Sequence, residues 1–300
     1  FTTEKSRKDL LQDATSRSKR DGGYRFATPI AVSLTPKNSG RWDQTPEGNL
    51  RWRILVQSPK AHSLNFGFSQ YSMPSGGFLR ISTPGHPSNY RDFTSADNEA
   101  HGELWTPVIN GEVAMLEVEL PDAAAAAELD LKLAKVNHGF RGWRHPATKI
   151  GGTSSGDCNL DVACDADDGF PMVELFRDQI RSVGAYTVEG IDTCTGALIN
   201  NAAQDNTPYF LTAAHCGINA SNAASVVVYW NFESSSCREP NTPASGAVAD
   251  GDLSQFNTGS IFRADDDTSD FCLIEMDDPI DPSFNLFFSG WSRSSGEAST

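Results

Sequence analysis

The chain has 300 residues, 38% of them hydrophobic and 21% charged, enough for two domains since a single core rarely grows past about 250–300 residues. No stretch approaches the ~20 apolar residues of a helical membrane span, so a membrane partner is not expected. The net charge of −15 is unevenly spread, with 19 Lys and Arg against 16 Asp and Glu in residues 1–150 and 5 against 23 in residues 151–300, which excludes a phosphate-binding surface on the second half and so a nucleic-acid partner there.

Residues 1–23 are polar and charged, with a short helix expected around Lys8 to Ala14, and read as a leader remnant or linker. The first residue is Phe1, not Met, so the N-terminus is expected to have been processed or cut. From Tyr24 the pattern becomes strand-like, with short runs at 30–34, 50–57, 64–71, 78–82 and 112–120 separated by Pro, Gly and Asn. Arg51-Trp52-Arg53-Ile54-Leu55-Val56 alternates polar and apolar residues as a half-buried strand does. Ala123 to Ala127 have helical propensity and read as a surface connection, and 134–136 add a last strand. Residues 24–138 are therefore expected to form a β-sandwich.

Residues 139–157, rich in Gly, Ser, Thr and basic residues, read as a cleavable linker, with Lys149 the candidate cleavage position. Strand patterning then resumes at 182–188, 195–200, 209–212, 225–232, 259–264 and 271–275. That order suits an antiparallel barrel for residues 158–300, and the whole chain reads as all-β.

All six cysteines lie in the second half: Cys158, Cys164, Cys194, Cys216, Cys237 and Cys272. Such clustering suggests disulfides formed in an oxidising compartment, hence a secreted protein. Zinc is the rival, but no Cys-x-x-Cys pair or His-x-x-x-His partner occurs. Asp165, Asp167, Asp168 and Gly169 are reminiscent of a calcium loop, yet the Gly is one position early and no Glu closes it, so a solvated turn is expected. No cofactor or metal is expected.

The strongest chemical signal is Tyr209-Phe210-Leu211-Thr212-Ala213-Ala214-His215-Cys216. An apolar strand delivers an imidazole into a turn of small residues, and a general base needs such a fixed tautomer and orientation. With Cys194-Thr195-Gly196-Ala197-Leu198-Ile199 upstream, the string resembles the histidine region of trypsin-like serine proteases. The resemblance implies a Cys194–Cys216 bridge and makes His215 the catalytic base. It also implies an orienting Asp placed as Asp-x-x-Leu, which Asp270-Phe271-Cys272-Leu273 supplies 55 residues later. The rival run Asp265-Asp266-Asp267 lacks the apolar strand and reads as a turn.

Longer segments carry a narrower likeness. Cys158-Asn159-Leu160-Asp161-Val162-Ala163-Cys164, Val226-Val227-Val228-Tyr229-Trp230-Asn231 and Phe284-Asn285-Leu286-Phe287-Phe288-Ser289-Gly290-Trp291 resemble bacterial lysyl endopeptidases, with similar stretches between. Residues 1–150 resemble the propeptide of that family, for instance at Gly102-Glu103-Leu104-Trp105-Thr106-Pro107. The likeness implies the first barrel of a double-barrel protease, a Cys164–Cys237 bridge, a partner for Cys158 beyond residue 300 and a leftover buried Cys272. Expected partners are protein or peptide substrates and the intramolecular propeptide, the molecule being a monomer exported through the periplasm.

The sequence departs from the family in one respect. The nucleophile string Gly-x-Ser-Gly is absent, and Ser294-Ser295-Gly296 follows Asp270 too closely to open a second barrel. The chain is thus expected to be inactive alone and active in a longer product. Residues 151–300 contain no Lys, as suits a lysine-specific protease, although this half is poor in both bases. Ile150-Gly151-Gly152 resembles a trypsin-type new N-terminus, but Cys194 follows too late for the buried ion pair to carry over. The alternatives are a catalytically dead homologue, or a glycan-binding first half that stacks sugars on Trp52, Tyr71, Trp105 and Trp143.

Overall fold

A computed structural model describes residues 8–12, 24–86, 90–142, 158–242, 244–245 and 250–292. Lys149, Trp143, Ile150 to Gly152 and Ser294 to Gly296 lie outside the described residues. The first half holds β1 (Tyr24–Arg25), β2 (Ala27–Leu34), β3 (Arg41–Gln44), β4 (Leu50–Gln57), β5 (Ser63–Ser72), β6 (Phe78–Ser82), β7 (Phe93–Thr94), β8 (Leu104–Trp105), β9 (Ile109–Asn110), β10 (Val113–Leu120) and β11 (Asp130–Gly139). The second holds β12 (Val183–Val188), β13 (Asp192–Ile199), β14 (Tyr209–Thr212), β15 (Val227–Trp230), β16 (Phe256–Thr258), β17 (Ser260–Asp266) and β18 (Phe271–Met276). The fold is all-β.

Two antiparallel sheets build the first half, in the orders β3-β4-β10-β6-β7 and β2-β11-β5-β8, with β9 also on β5. Along β10 every second residue is buried, namely Ala114, Leu116, Val118 and Leu120, which is the period of a pleated strand with one face inward. Its register sets Val118 against Trp52 and Ala114 against Val56 of β4, so the inward faces coincide. Trp52, Leu79 and Leu116 from one sheet join Leu64, Phe66, Leu131 and Val136 from the other in a single apolar cluster. Asp122 caps the helix Ala123–Glu128 by accepting the Ala125 N–H at 2.9 Å, matching the helical propensity of that run.

β11 is longer than the short 134–136 run suggests, and the chain stays packed through Phe140 and Arg141. Arg141 donates to the Arg25 carbonyl at 2.7 Å and lies over the Tyr24 ring at 3.7 Å. The polar, glycine-containing start of the 139–157 stretch is therefore folded. Residues 8–12 are helical, with Leu10 packed on Phe140.

The second half is one sheet in the order β16-β15-β12-β13-β14-β18-β17. Its end strands, β16 and β17, are separated only by Gly259, so the path returns to its own start and the sheet curls round a core. Tyr186, Leu198, Phe210, Val228, Trp230, Ile274 and Met276 fill that core. Phe210 meets Tyr186 and Trp230 edge-to-face at 5.7 and 5.6 Å, contacts worth about 0.5–1.5 kcal/mol each beyond burial.

The halves pack directly on each other. β1 pairs with β13, Tyr24 opposite Thr193, and the Phe26 N–H donates to the Ile191 carbonyl at 2.9 Å. β15 is buried on both faces: Val228 and Trp230 point into the curled sheet, while Val227 and Tyr229, with Ile191, Leu253 and Phe256, complete the first half's cluster. The Tyr229 hydroxyl accepts the Val108 N–H at 2.9 Å. Gly190 has φ +64°, and a Cβ there would lie 1.8 Å from Asn65 Oδ1, so only glycine allows Asn65 to donate to the Gly190 carbonyl at 2.8 Å.

Candidate active site

β14 and β18 are neighbours with Thr212 opposite Cys272, which sets Asp270, just ahead of β18, beside the turn that follows β14. That turn is a short 3-10 helix, Ala214–Cys216, ended by Gly217 at φ +82°. The small Ala213 packs on the core of the curled sheet, and Gly217 supplies the left-handed exit. Cys216 is disulfide-bonded to Cys194 on β13, 22 residues earlier, which ties the turn to a third strand.

His215 and Asp270 meet twice. The His215 backbone N–H donates to Asp270 Oδ1 at 2.9 Å, and His215 Nδ1 lies 2.7 Å from Oδ2. The Asp270 carbonyl accepts the Ala214 N–H at 3.3 Å. Asp270 adopts φ +54°, a left-handed conformation that is uncommon for a residue with a Cβ and brings both carboxylate oxygens onto the His215 turn. The His215 backbone N–H first, then its imidazole, hold the Asp270 carboxyl below the usual carboxylate range. Both side chains are half-exposed. With Nδ1–H donated to a carboxylate, the ring keeps Nε2 as its basic atom.

Below the turn, Thr212 Oγ1 donates to the Thr195 carbonyl at 2.8 Å and sits 2.8 Å from the Tyr186 hydroxyl, tying β14 to β13 and β12. Cys272 is a buried free thiol, pushed up to about 11 chiefly by burial, and so is a packing residue. Of the rival acids, Asp265 and Asp266 are not in a turn but end β17, and only Asp267 lies in the turn that follows, where Asp266 accepts the Thr268 N–H and the Ser269 hydroxyl. The double use of Asp270 had no signal in the sequence, because it depends on the backbone angle of one turn residue.

The second disulfide joins Cys164 to Cys237, and beside it Arg238 grips Asp161 at 2.7 Å. Cys158 is an exposed free thiol. Asp165 accepts the N–H groups of Asp167 and Asp168, so those acids form an exposed turn. Among the described residues two side-chain groups have metal-like spacing, Cys194–His215–Cys216 and Cys164–Asp168–Cys237. In each the two sulfurs are bonded to one another and supply no thiolate. Trp52, Tyr71 and Trp105 are buried in the first half's cluster and present no face to a sugar.

Two family models match the chain: "Lysyl endopeptidase N-terminal domain" over residues 11–140 and "Lysyl endopeptidase, C-terminal domain" over residues 152–300. The chain belongs to the lysyl endopeptidase family. A lysyl endopeptidase of Pseudomonas aeruginosa is 24% identical over 276 residues, covering 90% of this chain and 57% of that relative. The chain thus spans little more than half the relative's length. At the family level it is a serine peptidase homologue, and the hydrogen-bonded His215–Asp270 pair suits that chemistry.

Proposed function

We propose that the chain is the precursor part of a secreted serine endopeptidase that cleaves peptide bonds after Lys. His215 acts as general base through Nε2, taking the proton of a serine hydroxyl as that oxygen attacks the scissile carbonyl, then returning it to the leaving amine. Asp270 fixes the tautomer and stabilises the imidazolium. The serine, the oxyanion hole and the specificity pocket come from sequence downstream of Thr300. Residues 24–138 act as an intramolecular propeptide, separated by cleavage in 139–157, with Lys149 the candidate. Substrates are proteins and peptides, and no cofactor takes part.

The observation that carries this reading is the 2.7 Å contact between His215 Nδ1 and Asp270 Oδ2 on a turn tied down by Cys194–Cys216. The test is expression of the extended reading frame and assay on matched Lys and Arg ester substrates. Hydrolysis with Lys preferred, lost in His215→Ala, is the expected result. Inactivity of a frame that has no Gly-x-Ser-Gly after Thr300 sinks the proposal in favour of a catalytically dead homologue.

A further inference from the structure

Where the halves meet, acidic side chains come from both. Residues 91–101 bring Arg91, Asp97, Glu99 and His101, with Glu103 just beyond. The turn after β18 brings Asp277 and Asp278, and the β16–β17 junction contributes only Gly259, whose missing Cβ leaves room for the Asp277 carboxylate. Asp97, Glu99, Asp277 and Asp278, with Glu103 as a fifth carboxylate near His101, thus share one guanidinium and one imidazole. Arg91 is already committed to Asp97 at 2.6 Å, and Asp97 also accepts the Thr94 N–H at 2.7 Å. His101 Nε2 lies 2.9 Å from Oδ2 of Asp277, whose side chain is 3% exposed and whose Oδ1 has no hydrogen-bond partner. The Glu103 N–H donates to His101 Nδ1 at 3.0 Å, so the ring can serve Asp277 in its neutral form through Nε2–H. Among the described residues neither Asp278 nor Glu99 has an ion pair, and each feels the other carboxylates more strongly than it feels Arg91 or His101.

We propose that this seam is a proton-operated latch: the two halves hold each other most tightly in mildly acidic solution and loosen as the solution becomes neutral and then alkaline. The reading needs no assumption about catalysis. Burial first, then Asp277 and Asp97, push the Asp278 carboxyl up to about 7, and burial and Asp277 raise Glu99. The hydrogen bond to Asp277 raises His101. Parting the halves removes Asp97 and the burial at the seam, so Asp278 falls toward the ordinary carboxylate value of about 4 with Asp277 still beside it, and His101 returns to about 6.5. All three groups hold protons more firmly in the joined state. Joining therefore takes up protons and is at full strength below the ordinary values. It weakens up to tenfold per pH unit for each proton as pH rises to the joined-state values. For Asp278 that window runs from about 4 to about 7, with Glu99 acting in the same sense and His101 extending it upward.

The test is amide hydrogen exchange on the intact 300-residue chain between about pH 5.5 and 8, corrected for intrinsic exchange. Two bridging amides report on the seam, Val108 (to the Tyr229 hydroxyl) and Phe26 (to the Ile191 carbonyl), with amides inside β10 and β12 as references. The expected result is a fall in bridging protection of at least about tenfold across that range, with the references steady. Asp278→Asn, which mimics the protonated carboxyl, should flatten the fall, and Glu99→Gln should reduce it should the first variant not fold. Bridging protection that stays flat in the parent chain overturns the latch. So does a full-sized fall retained in both variants.

Discussion

The most exacting residue in the candidate site is Asp270. Its left-handed backbone brings Oδ1 to the His215 N–H and Oδ2 to the imidazole. Asn tolerates that backbone and Ala does not, so Asp270→Ala should be about 1–2 kcal/mol less stable than Asp270→Asn in urea unfolding of this chain. In the longer serine endopeptidase proposed above, Asp270→Asn should lower kcat about 10⁴-fold with KM nearly unchanged, because an amide stabilises the wrong imidazole tautomer. Steady-state kinetics on a Lys ester checks this, and a loss below tenfold counts against the assigned role. His215 and Asp270 were legible in the sequence because each sits in a contiguous string that reports its own strand and turn. The dihedral angle that joins them was not, since propensities do not specify which non-glycine residue enters the left-handed region. Tyr229 was legible as a strand residue, but its partner Val108 lies 121 positions away and no local pattern reports it.

Among the elements, strands with unbroken alternation were readable and interrupted ones were not. β10 alternates along its whole length and was anticipated almost to the residue. β11 was read as three residues and has ten, because register shifts between Lys132 and Lys135 break its period of two. β3, β7, β8 and β9 have two to four residues each, too few for a period to show. The disulfide pairings came from family likeness and not from spacing, and the structure contains both. Cys194–Cys216 closes a short loop across β13, β14 and the histidine turn. Replacing both cysteines with Ser should cost about 3 kcal/mol by the loop-closure model. Denaturant unfolding would measure it, and no change in midpoint would mean that the strands alone hold the turn.

At the scale of the whole molecule, the sequence suggested two units on a cleavable linker. The structure instead joins them through an apolar surface, with Val227, Tyr229 and Phe256 completing the first half's core. The run Val226 to Trp230 is continuously apolar, as a strand buried on both faces must be, but the sequence does not say what covers the second face. Truncating a residue of the shared core should therefore lower the stability of both halves. Phe256→Ala is expected to cost about 3–5 kcal/mol, and calorimetry should show one transition moving as a unit. A first-half transition left in place would refute that coupling.

β1 pairs with β13, so residues 24–25 wait for residues 192–193. At roughly 5–20 residues per second, a ribosome delivers Thr193 some ten to thirty seconds after Tyr24. Through that interval β1 lacks the strand that it pairs with among the described residues. The order of synthesis and the order of assembly are thus reversed at this contact, and a strand made before the rest of the first half is placed only after it.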